Sequence, residues 1–353
     1  MRKPRSTLLT TAGMALAAAL GLMGSIVGPS VGEAEAAPTG IRVSDGRVIE
    51  ANGNQFVMRG VNHAYTWYPE QTTAIADIAA KGANTVRVVL GSGDRWAKTS
   101  ASQVSGLIGQ CKANKVICVL EVHDTTGYGE DGAATTLDKA ANYWISVKSA
   151  LQGQQDYVIV NIGNEPYGNT NASAWTGATK NAISKLRNAG INHALMVDAP
   201  NWGQDWSGTM RANAASVFAS DPDRNTIFSI HMYGVYDTAA KVQDYLRHFT
   251  SNKLPLVVGE FGDRHSDGNP DENAIMATAQ SLSVGYMGWS WSGNGSGVEY
   301  LDMVNGFNAN SLTAWGNRFI NGANGIAATS KTATIYSRGG GPGSGTAPNG
   351  YPY

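Results

Sequence analysis

Charge is scarce in this chain and has no dominant sign. Only 15% of its 353 residues are Asp, Glu, Lys or Arg, and 26 basic residues face 27 acidic ones, for a formal net charge of −1. Such a balance supplies no long-range field for nucleic acid or an anionic membrane, so neither is expected as a partner. With 42% hydrophobic residues, the composition also excludes a highly charged disordered chain. Cysteine is nearly absent. Cys111 and Cys118 lack the paired spacing of a structural zinc site. Placed at a helix end and in the following strand, they leave two readings: a short-loop disulfide, which is preferred, or two separately buried thiols. Phe is the rarer aromatic, 7 against 9 Trp and 14 Tyr. Rings with a polar handle thus outnumber purely apolar ones, as expected where flat, hydroxyl-rich ligands are stacked and hydrogen-bonded.

Long apolar runs are confined to the N-terminus. Arg2, Lys3 and Arg5 precede an apolar stretch over 8–27, and Ala34-Glu35-Ala36 fits a small-x-small cleavage site. Residues 1–36 are therefore expected to be a secretory signal peptide, with an uncleaved anchor as the alternative, and the mature chain to be secreted, extracellular and soluble. At the other end, 337–353 are rich in Gly, Pro and Ser and read as a flexible linker to a further module.

Between these ends the chain has a rhythm. A short hairpin is expected around Asp45-Gly46. Eight mostly unalternating β-branched runs follow, at 56–62, 85–90, 116–122, 157–161, 194–198, 226–232, 256–260 and 286–290. Helical patterns over 73–81, 102–114, 137–151, 174–189, 207–219, 238–250, 273–283 and 312–321 follow each run in turn. Eight βα units predict a closed (β/α)8 TIM barrel over 37–336 with a short N-terminal β-hairpin. An open doubly wound sheet is the runner-up, but no glycine-rich phosphate turn follows the first strand.

In such barrels chemistry gathers at the C-terminal strand ends. There the sequence places Asn62, His63 and Trp67, then Arg87, His123, Asn164-Glu165-Pro166, Trp202, His231 and Tyr233, Glu260, and Trp289. Glu165 and Glu260, from the fourth and seventh strands, can face a common centre. Paired carboxylates in distinct environments are what glycosidic-bond cleavage requires. Asn164-Glu165-Pro166 behind an apolar strand, Val257-Val258-Gly259-Glu260-Phe261-Gly262, Arg87, His231-Met232-Tyr233 and Trp289 together resemble glycoside hydrolase family 5. The resemblance covers about 41–336. The stretches 288–302 and 62–67 are similar to the bacterial endo-β-1,4-mannanases of that family.

The resemblance implies Glu165 as general acid/base and Glu260 as nucleophile, with net retention. Asn164 would hold the sugar 2-hydroxyl, and Arg87 and Tyr233 would keep Glu260 ionised. His123 and His231 would frame the site, Trp289 would be the floor of the reacting sugar, and Trp67, Trp202 and Trp96 would serve further subsites. The implied partners are β-mannan polysaccharides and manno-oligosaccharides, acted on by a monomer, with a carbohydrate-binding module after the linker. No catalytic metal or other cofactor is expected. Asp263, His265, Asp267, Asp271 and Glu272 leave room for a structural calcium.

Blander readings stand beside these. Glu165 can be an acid at a helix N-terminus, Glu260 half of a structural ion pair with Arg87, and either histidine a satisfied core residue. Trp96 and Trp202 can simply cover loops. Trp291 is assigned to the core and His63 to the rim. At the level of function, an endoglucanase or xyloglucanase and a non-catalytic sugar-binding barrel are the alternatives.

Overall fold

The computed structural model describes residues 40–295 and 297–338. The expected signal peptide over 1–36 lies outside the described residues, as does the expected linker beyond Arg338. Strands β1 (Arg42–Ser44) and β2 (Arg47–Ile49) pair antiparallel, with Ser44 opposite Arg47. Asp45 and Gly46 between them have φ of 49° and 72°, the left-handed pair that a two-residue turn needs to match strand twist. Gly46 also lies against Lys253, where an added Cβ would come within 2.6 Å of backbone.

Eight parallel strands close the barrel: β3 (Arg59–His63), β4 (Thr85–Leu90), β5 (Ile117–Val122), β6 (Val158–Asn161), β7 (Ala194–Asp198), β8 (Thr226–Met232), β9 (Leu256–Phe261) and β10 (Gly285–Gly288). The expected helices follow them, with one change. The pattern over 137–151 is split into Leu137–Ser146 and Lys148–Leu151. Ser146 turns its hydroxyl onto the Tyr143 carbonyl at 2.7 Å, a side-chain bond that competes with the helical ladder. No helix among the described residues is long and apolar enough to cross a membrane.

Strand alternation sorts the side chains into two cores. Outward residues such as Val86, Val88, Leu120, Val160 and Ile230 pack against the helices. Inward residues near the strand starts, among them Ile117, Val119, Ile159, Met196 and Ile227, fill the barrel bottom with Ile41, Phe56 and Met58. The hairpin residues Val43 and Val48 and the C-terminal Ile335 and Tyr336 cover this plug. Above it the inward positions turn polar, and every one is buried: Asn62, Arg87, Glu121, Asn161, Asp198, His231 and Glu260.

The disulfide preferred from the sequence is not present. Cys111, on the helix Ala101–Ala113, and Cys118, on β5, are free and buried thiols of the outer apolar layer. Burial, and then contact with Cys111, pushes the Cys118 thiol well up, so the pair packs as small hydrophobes.

Asn225 pins the hairpin to the barrel. Asn225 accepts from the Val43 N–H at 3.0 Å and donates to the Ile41 carbonyl at 3.1 Å. Asn225→Ala leaves both backbone groups without this partner. We expect it to cost about 1–3 kcal/mol of unfolding free energy, read from equilibrium urea denaturation; an unchanged midpoint would show that the plug holds without this clamp.

Candidate active site

Arg87 is the hub of the polar layer. It points inward from the middle of β4 and is fully buried, with all five of its N–H donors engaged. Nε donates to Asn161 at 2.9 Å, Nη1 to Asn62 at 2.9 Å and to Glu260 at 2.6 Å, and Nη2 to Asn164 at 2.8 Å and to Asp198 at 2.9 Å. Asn62 in turn donates to the Gly259 and Gly288 carbonyls, both at 3.1 Å, which ties β3 to β9 and β10.

Glu260 owes its direction to a bulge. Ile230 pairs with Val258, but the next residue, His231, pairs with Glu260, so Gly259 is the extra residue. In a regular strand Glu260 would share the outward face with Val258; the bulge turns it into the barrel. Gly259 tolerates no side chain, because an added Cβ would strike the Ser229 hydroxyl. Glu260 accepts from Arg87 through Oε1 and from the Tyr233 hydroxyl through Oε2 at 3.0 Å.

Glu165 lies four residues past the end of β6, with φ of 38°. A left-handed backbone at a non-glycine residue is held here by its neighbours: the Glu165 carbonyl accepts from Gly127 N–H at 3.0 Å, and Asn164 N–H bonds the Val122 carbonyl at 2.8 Å. The next α-helix begins only at Trp175, so Glu165 is not a helix N-terminal acid. Its Oε1 meets His231 Nδ1 at 2.7 Å, and Oε2 takes no hydrogen bond from the described residues. One oxygen each from Glu165 and Glu260 and one ring nitrogen of His231 all lie within 4.8 Å of one another.

Around this centre Trp67, His123 and Trp289 line an open cleft with Asn164 and Tyr233. His123 lies nearly parallel to Trp289 at 5.8 Å and edge-on to Trp67 at 5.0 Å. Asn164 gives one of its two amide N–H donors to Thr126 Oγ1 at 2.9 Å. Trp202 stands on the far side of Glu165, its indole N–H on Glu130 at 2.7 Å and its ring against Gly127, where a Cβ would not fit. Trp96 packs edge-on to Trp67 at 5.4 Å, beneath Arg95, and does not border the cleft. Trp291 is core, as expected. His63 is not at the rim: it faces outward from β3, fully buried, and burial lowers its pKa to about 4.

This geometry can be set beside known proteins. The model of the family described as Cellulase (glycosyl hydrolase family 5) matches residues 49–295. The chain belongs to glycosyl hydrolase family 5. It is 77% identical over 354 residues to a mannan endo-1,4-beta-mannosidase of Streptomyces lividans, a match covering 100% of this chain and 92% of the relative. A β-mannanase of Streptomyces thermolilacinus solved with mannohexaose superposes with a TM-score of 0.84 at 57% identity, over 85% of this chain and 99% of that one. A β-mannanase from Thermomonospora fusca gives 0.83 at 59%, over 84% and 99%. As a family 5 member, the chain is a glycoside hydrolase.

Three residues of this polar layer escaped the sequence reading. Asp198 ends β7 and sits 3.3 Å from His231 Nε2. Glu121 lies beneath His123, 2.9 Å from its Nδ1, and Asn161 donates to Asp198 at 3.0 Å. Inward parity was the available signal: Asp198 shares it with Ala194 and Met196, and Glu121 with Ile117 and Val119. The acidic cluster after β9 does not converge. Asp271 caps the helix Glu272–Leu282, Glu272 faces Arg318 at 3.5 Å, and Asp267 accepts from Gln204, Gly234 and His265. Among the described residues, the one group spaced to hold a metal is Glu165, His231 and Glu260. Those atoms are already joined to one another as an acid–base set.

Burial alone would lower the His231 pKa, but the charges of Glu260 and Asp198, the close contact with Asp198 and the bond to Glu165 outweigh it and raise it to about 10. For Asp198, burial pulls upward, but Arg87 and His231 pull harder and leave it at about 2. Burial likewise opposes charge on His123, yet Glu121 holds its pKa above the ordinary value. Burial and then the charge of Glu165 raise Glu260, against the pull of His231 and Arg87. The raised His231 pKa stabilises the fold fully below its ordinary 6.5, and that stability is lost as pH rises through about 10. Asp198 contributes above 3.8, and its share is lost as pH falls through about 2. The urea-unfolding free energy should therefore decline from pH 7 to 10, and His231→Gln should flatten that decline. An equally steep alkaline limb in the variant would show that His231 does not carry the proton.

Proposed function

We propose that the chain is a retaining endo-β-1,4-mannanase that hydrolyses internal bonds of mannan, glucomannan and galactomannan by double displacement. The observation that carries the mechanism is the closeness of the two carboxylates, with oxygens within 4.8 Å. Retaining glycosidases hold their carboxyl groups about 5–5.5 Å apart, whereas inverting ones leave about 6.5–9.5 Å for a water. The mannan specificity is supported by the Streptomyces relatives, one named for mannan and one solved with mannohexaose.

The contacts divide the roles. Glu260, held by Arg87 and Tyr233 and facing His231 at 3.5 Å, has its charge stabilised at the moment it attacks the anomeric carbon. Glu165 keeps one oxygen on His231 and opens the other to the cleft, the arrangement of a group that gives a proton to the leaving oxygen. Water then enters and attacks the anomeric carbon while Glu165 accepts a proton from it, and the bond to Glu260 breaks with the configuration restored. Trp289 offers a flat face at the reacting sugar, its indole fixed by Asn294 at 2.8 Å. Trp67 and His123 extend the wall on the same side. The apolar, positively flanked N-terminus of the sequence supports secretion.

Reducing-sugar release should be faster on mannan than on carboxymethylcellulose; the reverse would make the enzyme an endoglucanase on this scaffold. Proton NMR of the first product should show the β-anomer. Glu260→Ala should lose at least about 10³-fold in kcat, and Glu165→Ala about 10²–10⁴-fold on unactivated substrate. An α-anomer as first product would reverse the mechanistic assignment.

A further inference from the structure

Trp206 is the one large hydrophobic side chain among the described residues that stands mostly in solvent, 59% exposed. It is not loose. Its indole N–H donates to Asn169 Oδ1 at 2.6 Å, which fixes the ring by its polar edge and leaves its face open. The loop that carries it is built under constraint. Asn201, Trp202 and Asp205 all have left-handed backbones, at φ of 58°, 54° and 48°. The Asn201 side chain accepts from the Ser207 N–H and hydroxyl, at 3.3 and 2.6 Å. Asp205 is buried and accepts from the N–H groups of Met210 and Arg211 at 2.8 Å and from the Tyr245 hydroxyl at 2.6 Å. Strain of this kind persists only where surrounding contacts over-determine it, and it gathers at functional sites. A tryptophan that merely covered its loop would be buried against it.

Position gives the platform its partner. Trp206 borders a depression with Trp202, Asp267, Tyr233, His265 and Glu165. The main cleft shares Glu165, Tyr233 and His265 with that depression, but Glu260 and Trp289 belong to the cleft alone. The depression therefore continues the cleft past Glu165, away from Glu260. A general acid must stand beside the leaving oxygen, so the surface beyond it faces the departing part of the polysaccharide.

We propose that Trp206, with Trp202 in the same depression, forms a stacking platform for a sugar of the leaving-group chain, beyond the one attached to the scissile oxygen. This rests on Glu165 being the acid, as argued above. The ligand class is a β-1,4-linked hexopyranose, whose apolar ring face packs on indole while its hydroxyls reach the polar rim. Because Trp206 is so exposed, its removal leaves the core intact.

The test compares kcat/KM for mannohexaose with that for an aryl β-mannobioside, whose small leaving group does not reach the platform. Trp206→Ala should lower this ratio about five- to tenfold, and Trp206→Phe, which keeps a ring, should recover most of it. With mannohexaose carrying ¹⁸O at its reducing end, mass spectrometry should show the cleavage site of Trp206→Ala moved toward that end, as the chain slides to fill the opposite side of the cleft. An unchanged ratio and cleavage pattern, or an equal loss on both substrates, would overturn the platform. If the wild type prefers glucans, the same comparison with cellohexaose and an aryl cellobioside decides, so the platform and the mannan assignment fail separately. A wild type inactive on both series would overturn the two together.

Discussion

One buried guanidinium organises the upper half of this barrel. A cation removed from water without compensation costs several kcal/mol, and Arg87 has no exposure with which to escape. It is compensated by residues from β3, β6, β7 and β9 and by Asn164 in the loop after β6. A planar group with five donors in a fixed fork accepts these partners only in one arrangement. Each strand end is thereby placed relative to the others through a single side chain, and Glu260 is among those placed. A lysine would supply the charge without the geometry.

The two carboxylates reach the common centre by different local devices. Glu260 comes from a strand, turned inward by the bulge at Gly259, and meets fixed donors on both oxygens. Glu165 comes from a loop, held in a left-handed conformation by Gly127 and Asp198, and keeps one oxygen toward solvent. The bulge gives a rigid, enclosed carboxylate; the loop gives one with access to the cleft. That difference is what separates an attacking group from a proton-transferring one when both are the same residue type.

Most of this architecture was legible in the sequence, because period and parity are physical. The eight buried strands showed as β-branched runs, and β4, β7 and β8 begin and end where their patterns do. β3 starts later than its run, since Phe56 bonds the hairpin at Val48 and fills the plug. β10 stops at Gly288, after which Ser290 turns to the Leu301 carbonyl, so strand alternation no longer governs Trp289 and Trp291. Glu165, Glu260, Arg87, His231 and Tyr233 were visible as unusual residues at strand ends, and the structure brings them into mutual contact. Less legible were features set by long-range packing. A histidine one residue off the inward register, His63, goes to the helix layer. A tryptophan expected at a subsite, Trp96, becomes backing for another. Two cysteines in reach of each other remain thiols. Asp198 and Glu121 look ordinary until the inward parity of their strands is counted.

The charge count of the polar layer gives the site its chemistry. Arg87 is permanently cationic, His231 is held protonated, and Glu121 draws His123 toward its charged form. Against these three stand Glu121, Asp198, Glu165 and Glu260. Asp198, lowered to about 2, stays ionised between Arg87 and His231, and Glu121 faces His123. Glu165 and Glu260 then face each other with oxygens within 4.8 Å. Like charges so close in a buried setting oppose each other, and after burial it is the charge of Glu165 that raises the Glu260 pKa. Glu260 meets fixed donors on both oxygens, whereas Glu165 opens one oxygen toward the cleft. In the proposed reaction, this difference in surroundings is the physical origin of an acid and a nucleophile standing side by side.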